Sequence, residues 1–126
     1  MKIGMIGMGK MGLNLAQNFL RNGFEVAGFD VNPQTRAEAE ALGVETAETV
    51  RQMIGRLPKP KIVWLMVPSG KIANQTVSDV GELLAAGDYV IDGGNSNYKD
   101  SVANYERLSE KAIHFYDCGT SGGVDG

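Results

Sequence analysis

Several residue types that mark metal, disulfide and membrane proteins are scarce in this sequence of 126 residues. Cys118 is the single cysteine, so no intrachain disulfide can form, and His114 is the single histidine. A lone thiol suits a reducing compartment, and no residues show the spacing of metal ligands. No apolar run approaches the roughly 20 residues that a membrane helix needs. The first apolar run starts at once, without the features of a signal peptide, which predicts a cytoplasmic protein.

An excess of positive charge is missing as well. Twelve lysines and arginines against fifteen aspartates and glutamates give a net charge of −3. The chain as a whole therefore lacks the basic character of a nucleic-acid-binding protein. Apolar residues make up 43% of the sequence, which at this length is enough for one packed domain. We expect a single domain over residues 1–126, with neither a membrane nor a nucleic acid as its partner.

What the sequence does contain is a regular alternation of apolar runs and helical patterns. The predicted strands span residues 2–7, 25–29, 44–45, 61–67, 89–91 and 113–116. The predicted helices span residues 11–22, 33–42, 47–54, 72–84 and 98–111. Asn32 is expected to cap the second helix and Thr46 the third. Alternation of this kind predicts an α/β protein of the Rossmann type, with a doubly wound, mainly parallel sheet in three α/β/α layers.

Three glycines with the spacing G-x-G-x-x-G join the first strand to the first helix. Gly7 permits the tight turn, Gly9 lets a pyrophosphate approach the backbone, and Gly12 lets the helix pack closely on the strand. The N–H groups at the helix start would face the phosphates. The predicted phosphate-binding residues are therefore Gly7, Met8, Gly9, Lys10, Met11 and Gly12.

Asp30 ends the second predicted strand, 18 residues after Gly12. An acidic residue at about this separation accepts hydrogen bonds from the adenosine ribose and repels a 2′-phosphate, which favours NAD over NADP. Val31 and Asn32 supply no positive charge, and Arg36 is the nearest guanidinium. The alternative is that Asp30 only helps to cap the helix that follows.

Three further loops follow predicted strands and meet the glycine motif at the carboxyl edge of a parallel sheet. They contain Val67-Pro68-Ser69-Gly70, Asp92-Gly93-Gly94-Asn95-Ser96 and Ser121-Gly122-Gly123. Ligands of open α/β sheets bind at that edge, and the last loop has the backbone N–H groups of an anion nest. A plain turn would explain the first loop equally well but explains the second less well, given its position, and a flexible tail would explain the third.

Three stretches of the sequence resemble one enzyme family. They are IGMGKMGLNLAQNF (6–19), IDGGNSNYKDS (91–101) and CGTSGGVDG (118–126). Over its whole length the chain resembles the N-terminal, cofactor-binding domain of the decarboxylating 6-phosphogluconate dehydrogenases, within the β-hydroxyacid dehydrogenase superfamily. The resemblance implies oxidation of 6-phosphogluconate with NAD(P)⁺ and loss of CO₂ to give ribulose 5-phosphate, a step of the pentose phosphate pathway and of gluconate utilization.

The resemblance also implies residue roles. The glycine motif would hold the pyrophosphate, and Val67, Pro68 and Ser69 would line the cofactor. Asn95 would touch both cofactor and substrate. The sugar acid would be bound by Ser121, Gly122 and Gly123. NADP-using members carry an Asn-Arg-Thr-like triplet where this chain has Asp30-Val31-Asn32, so the resemblance points to the NAD-preferring subgroup.

No catalytic acid or base is expected within residues 1–126. The family's proton-shuttling lysine and glutamate lie on a later, all-helical domain, so the resemblance implies that this part of the protein is inactive alone and that the whole protein is a homo-oligomer. Two alternatives stay open. One is a 3-hydroxyisobutyrate-type dehydrogenase, against which the DGGNS stretch argues, and the other is a nucleotide or S-adenosylmethionine module without redox chemistry.

Overall fold

The computed structural model describes residues 1–68, 70–94 and 98–118, which form one sheet and the helices around it. The strands are β1 Lys2–Ile6, β2 Glu25–Phe29, β3 Glu45–Thr46, β4 Ile62–Leu65, β5 Tyr89–Asp92 and β6 His114–Asp117. The helices are α1 Lys10–Arg21, α2 Pro33–Ala41, α3 Val50–Gly55, α4 Lys71–Leu83 and α5 Tyr98–Ser109. Within the described ranges, no helix combines the length and apolar character needed to cross a bilayer.

All neighbouring strands are parallel, in the order β3-β2-β1-β4-β5-β6. The chain therefore winds outward from β1 to β3 and then returns to the other side of β1 with β4. Ile6 pairs with Phe29 on one side and with Leu65 on the other. The carboxyl ends of β1 and β4 thus flank the topological switch point, where ligands of such sheets bind.

Helices cover both faces of the sheet, which gives the three predicted layers. On one face, Ala16 of α1 and Ala39 of α2 pack with Met5 and Val26. On the other face, residues of α3, α4 and α5 pack against β1, β4, β5 and β6; these include Met53, Ile54, Val77, Val80, Leu108, Val63, Leu65, Val90 and Phe115. The predicted fold class, a doubly wound Rossmann-type α/β sheet, is confirmed.

The start of α3 differs from the sequence prediction. Thr46, expected to cap this helix, pairs with Gly28 as the last residue of β3, and its carbonyl accepts a hydrogen bond from Arg56 Nη1 at 2.8 Å. The cap is instead Thr49, whose hydroxyl accepts the Gln52 N–H at 3.0 Å. Because Thr46 is used in strand pairing, α3 begins about one turn later, after Thr49.

The cap of α2 is as predicted. The side-chain oxygen of Asn32 accepts the Gln34 N–H at 2.9 Å, and Pro33 occupies the first helical position. Because proline needs no donor there and fixes φ near its helical value, this pair stabilises the helix start directly after β2.

Candidate functional site

The turn between β1 and α1 is held against both neighbouring strands. Gly7 has φ +92°, a left-handed conformation that suits glycine, and a Cβ there would lie 2.6 Å from the carbonyl oxygen of Met66. The Gly7 N–H donates to the Phe29 carbonyl at 2.9 Å. The turn therefore leaves β1 at the switch point, wedged between the ends of β2 and β4.

Gly12 and Gly9 differ sharply in their surroundings. A Cβ on Gly12, in the first turn of α1, would collide with the carbonyl oxygen of Gly7, so the helix packs on the turn at glycine distance. A Cβ on Gly9 would meet no atom of the described residues within 4 Å. Packing among the described residues therefore does not require glycine at this position, which leaves this side of Gly9 open to a ligand.

The N-terminus of α1 is built to receive an anion. Gly9 is its N-cap, and among the described residues no side chain accepts a hydrogen bond from the helix start. The first turn also lacks an acidic residue. An uncapped helix start carries N–H donors and the positive end of the helix dipole, which together favour a phosphate group. The residues present therefore fit the pyrophosphate of a dinucleotide.

Asp30 lies directly after β2 and joins two loops. Its Oδ2 accepts the N–H of Met8 in the glycine turn at 2.8 Å, and its Oδ1 accepts the N–H of Asn32 at 2.9 Å. Its own carbonyl accepts a hydrogen bond from Arg36 Nη1 at 2.8 Å. The helical N–H groups of α2 are capped by Asn32, so the carboxylate of Asp30 does more than cap that helix.

A cavity of about 770 Å³ opens at this edge of the sheet, a size typical of small-molecule sites. The predicted cofactor residues on its wall are Gly7, Gly9, Met11, Asp30, Val31, Val67 and Pro68. Three large apolar side chains around it are exposed, namely Met11 at 60%, Val31 at 83% and Ile72 at 56%. Exposed apolar groups gathered around a cavity are suited to the flat rings of a nucleotide.

Four other predicted cofactor residues lie outside the wall of this cavity. The side chain of Met8 is buried in the core, so only its N–H serves the site. Lys10 is exposed at the start of α1, Gly12 packs on the turn, and Asn32 is the cap of α2. Ser69, Asn95, Ser121, Gly122 and Gly123 lie outside the described residues, and the contacts predicted for them stay predictions.

Residues of α3 and α4 complete the wall, and the sequence patterns did not single them out. Val50 begins α3, while Ile72, Thr76 and Asp79 lie one helical turn apart along α4. Ile72, a large apolar residue next to Lys71 at the start of α4, was a signal available in the sequence. The sheet order is what brings both helices beside the glycine turn, and that order is a property of the whole fold.

The loop after β5 is shaped by close contacts. A Cβ on Gly93 would collide with the indole of Trp64, and one on Gly94 would lie 2.9 Å from the Val67 carbonyl oxygen. The buried carboxylate of Asp92 accepts the Gly94 N–H at 2.9 Å. Packing therefore requires both glycines, and the loop passes directly beside the segment that follows β4.

His114 and Cys118 stand apart from the cavity wall. The imidazole of His114 stacks on Tyr89 with the ring centroids 4.6 Å apart, which agrees with a structural role. Cys118 is exposed, and its N–H donates to the Asp92 carbonyl at 2.8 Å. In the part of the chain that the structure describes, no three histidine, cysteine or acidic side chains gather as metal ligands.

Comparison with known proteins agrees with this geometry. Residues 2–126 match the family described as the NAD binding domain of 6-phosphogluconate dehydrogenase. The Bacillus subtilis protein YqeC is 44% identical over 126 residues, which are all of this chain and 42% of that protein. The NAD(+)-dependent, decarboxylating 6-phosphogluconate dehydrogenase of Haloferax volcanii is 40% identical over 126 residues, all of this chain and 41% of the relative.

Solved structures are similar as well. The 6-phosphogluconate dehydrogenase of Plasmodium falciparum, described in its apo form and with NADP+ and 6-phosphogluconate, aligns with a TM-score of 0.85 at 28% identity, over 91% of this chain and 26% of that one. A Mycobacterium tuberculosis 3-hydroxyisobutyrate dehydrogenase aligns with a TM-score of 0.83 over 92% of this chain and 39% of that one. At 22% identity, the second likeness supports the fold alone.

The chain spans about two fifths of the length of the two curated relatives named above. Its glycine turn, the acidic residue after β2 and the cavity between them occur within the region that the family match covers. The chain belongs to the family of NAD-binding domains of 6-phosphogluconate dehydrogenase.

Proposed function

We propose that this chain is the cofactor-binding part of a decarboxylating 6-phosphogluconate dehydrogenase that prefers NAD. The observation that carries the cofactor preference is Asp30, whose carboxylate lies on the cavity wall at the end of β2. A negative charge at this point attracts ribose hydroxyls and repels a 2′-phosphate. Val31, the next residue on the wall, is 83% exposed and carries no charge that could offset the repulsion.

Two comparisons bear on the preference in different ways. The Haloferax volcanii relative, 40% identical, is named as NAD(+)-dependent. The Plasmodium falciparum structure, 28% identical, is described with NADP+. Arg36 of α2 is the nearest guanidinium, but it already donates to the Asp30 carbonyl. We therefore propose that Asp30 determines the preference between NAD and NADP. We expect Arg36 to contribute less to any affinity for NADP.

A paired substitution tests the preference. Asp30→Ala combined with Val31→Arg removes the repelling charge and adds a guanidinium beside the 2′ position. We expect the ratio of NADP to NAD affinity to rise by about ten- to a hundredfold, since a hydrogen bond to a charged group contributes about 1.5–3 kcal/mol. Isothermal titration calorimetry with both nucleotides measures the ratio. Val31→Leu is the matched control and should leave it unchanged.

The same calorimetry separates a dehydrogenase domain from other nucleotide-binding modules. Wild-type chain should bind NAD more tightly than NADP and should not bind S-adenosylmethionine. Binding of S-adenosylmethionine alone would contradict the proposal. An unchanged nucleotide ratio in the double variant would instead show that Asp30 does not read the 2′ position.

The proposed reaction is oxidation of 6-phosphogluconate at C3, followed by loss of CO₂ to give ribulose 5-phosphate. NAD supplies the hydride acceptor, and residues 1–126 hold it with its phosphates on α1. Both steps need general acid–base groups, which we propose lie in an all-helical part beyond residue 126. The 126-residue chain should therefore bind NAD without forming NADH from 6-phosphogluconate.

The substrate is tested on a polypeptide that includes the acid–base residues. We expect NADH formation with 6-phosphogluconate and little with 3-hydroxyisobutyrate. The reverse order of rates would assign the chain to the other dehydrogenase branch. NADH formation from 6-phosphogluconate by residues 1–126 alone would disprove the proposed division of labour.

A further inference from the structure

The carboxylate of Asp30 continues the pairing of β1 and β2 beyond the end of the sheet. Ile6 and Phe29 are the last paired residues, and the Gly7 N–H still reaches the Phe29 carbonyl at 2.9 Å. One residue further along, the Met8 N–H lies beyond the paired residues of β1 and β2 and donates to Asp30 Oδ2 at 2.8 Å. A side chain thus replaces the main-chain acceptor at the point where the glycine turn leaves the sheet.

Asp30 is itself fixed in place by its neighbours. Its Oδ1 accepts the Asn32 N–H at 2.9 Å, and its carbonyl accepts Arg36 Nη1 at 2.8 Å. The two contacts at its carboxylate restrict rotation of the side chain, and the contact at its carbonyl holds the main chain. The residue can therefore act as a rigid connection between two loops that are 22 residues apart in the sequence.

Met8, the residue held by this connection, is anchored a second time. Its side chain is 1% exposed, and its sulfur lies so close to Gly28 of β2 that a Cβ there would collide with it. Met8 immediately precedes Gly9, the N-cap whose open side faces the cavity. Holding Met8 therefore fixes where the uncapped start of α1 points.

We propose that Asp30 is a positioning residue for the phosphate-binding turn, in addition to the ribose contact suggested above. Each carboxylate oxygen has more than one acceptor site, so the bond to Met8 leaves room for a ribose hydroxyl. The affinity for the phosphates then depends on Asp30 even for ligands that lack the adenosine ribose. This proposal rests on the proposed function for the identity of the ligand, but the state of the turn can be measured without any nucleotide.

Inorganic pyrophosphate separates positioning from simple charge. Removing a carboxylate near an anion site should strengthen pyrophosphate binding if only charge matters. If Asp30 positions the turn, Asp30→Ala should weaken pyrophosphate binding about threefold or more, against the electrostatic trend. NMR titration of the Gly9 amide measures the affinity in both proteins. Stronger or unchanged binding in the variant would overturn the proposal.

Amide hydrogen exchange of the ligand-free protein gives a readout that a general loss of stability would not reproduce. In Asp30→Ala the Met8 amide should exchange at least about tenfold faster, while core amides such as that of Val26 change little. Asp88→Asn is the matched control, because it weakens contacts of a buried carboxylate before β4 and β5, at the opposite edge of the sheet, and should leave pyrophosphate binding and the ratio of Met8 to Val26 exchange unchanged. A Met8 amide that stays protected in Asp30→Ala would also overturn the proposal.

A second variant covers the case in which Asp30→Ala does not fold. Asp30→Asn keeps the size of the side chain but turns an NH₂ group toward one of the two main-chain donors, so it should show the same changes at smaller amplitude. Failure of wild-type chain to bind NAD would contradict the proposed function. The Met8 exchange rates in that event still decide whether Asp30 holds the turn.

Discussion

At the scale of single residues, the three motif glycines are needed for three different reasons. Position 7 requires glycine because its φ is positive. Position 12 requires glycine because a Cβ there would collide with the Gly7 carbonyl oxygen. Gly9 has neither constraint, since its φ is −67° and its Cβ position is open within the described structure. Among the described residues only the mild N-cap preference for glycine favours Gly9, and a ligand at the start of α1 supplies a stronger reason.

A pair of alanine substitutions separates these reasons. Gly12→Ala forces a methyl group against the Gly7 carbonyl and should lower the free energy of unfolding by about 1–3 kcal/mol. Gly9→Ala should cost at most about 1 kcal/mol, because alanine is only a poorer N-cap, yet it should weaken NAD binding about tenfold or more. Urea denaturation and calorimetry measure the two effects.

The outcome that contradicts this assignment is specific. If Gly9→Ala binds NAD as well as wild-type chain does, the phosphates do not approach Gly9. If Gly12→Ala is as stable as wild-type chain, α1 shifts away from the turn at little cost and the close packing is not required.

For Asp30, the sequence pattern predicted the position of the residue but not its contact. The spacing from Gly12 and the strand before it identified an acidic group at the right edge of the sheet. Its contact with Met8 was not predictable, because every residue except proline offers the same main-chain N–H and only the folded turn selects one. The same limit applies to Gly93, whose need for glycine depends on the indole of Trp64 in another strand.

At the scale of helices and strands, the type of each element was predictable and some of the boundaries were not. The apolar run 61–67 suggested a strand of seven residues, whereas β4 spans Ile62–Leu65. An apolar run indicates which residues are buried, not which are paired. Met66 is still partly buried against α1 and β1 although the strand has ended, so the run overestimates the length of the strand. Thr46 and Thr49 are equally good caps by composition, and the pairing of Thr46 with Gly28 decides between them.

A buried aspartate joins β4 to the turn before β5. Asp88 is 1% exposed, and its carboxylate accepts the N–H groups of Lys61 and Ala85, each at 2.8 Å. The ammonium of Lys59 is 3.8 Å away but largely exposed, so it adds little. The two main-chain bonds therefore account for most of what Asp88 contributes.

Substitution of Asp88 should affect stability and leave the site intact. Asp88→Ala leaves two donors without their acceptor, and we expect the free energy of unfolding to fall by about 2–4 kcal/mol. Asp88→Asn keeps one acceptor and should lose about half as much. Asp88 precedes β5, at the edge of the sheet opposite the cavity, so NAD affinity of the folded protein should not change. Lost affinity at unchanged stability in urea denaturation and calorimetry would contradict this assignment.

At the scale of the whole molecule, the sheet order determines which loops meet. The loops after β1, β2, β4 and β5 all contribute to one cavity, with α3 and α4 as an additional wall. The alternation of patterns predicted a shared edge, and the glycine motif predicted its centre. Val50, Ile72, Thr76 and Asp79 could not be assigned to the site in advance, because helical periodicity places them on a helix without saying what faces it.

A group of three charged side chains near the starts of β1 and β3 links the edge of the sheet to its centre. Lys2 Nζ lies 2.8 Å from Glu45 Oε1, and Arg56 Nε lies 3.5 Å from Glu45 Oε2. The hydrogen bond from Lys2 is the largest cause that lowers the pKa of Glu45. Glu45 is 46% exposed, so solvent screening keeps the contribution to stability small.

The direction of the pH dependence follows from that lowered pKa. The stabilisation by ionised Glu45 is fully present above its ordinary, unfolded-state pKa and is lost as the pH falls through the lower pKa of the folded protein. Glu45→Gln should therefore cost less than about 1 kcal/mol at neutral pH and nothing at strongly acidic pH. Thermal melts of both proteins across the acidic range measure the difference, with the exposed Glu38→Gln as control. A cost that grows on acidification would contradict the assignment.

The sequence contains one tryptophan, and its position makes it an intrinsic fluorescent probe of the fold and of the cavity. The indole of Trp64 lies edge-on to Phe19 of α1 with the ring centroids 5.6 Å apart, and it touches Gly93 in the loop after β5. Its Nε1 is buried, with no hydrogen-bond acceptor in the described part of the chain. The emission of this one fluorophore is therefore sensitive both to unfolding and to any shift of the loop beside the cavity, and intrinsic fluorescence can follow both without a label.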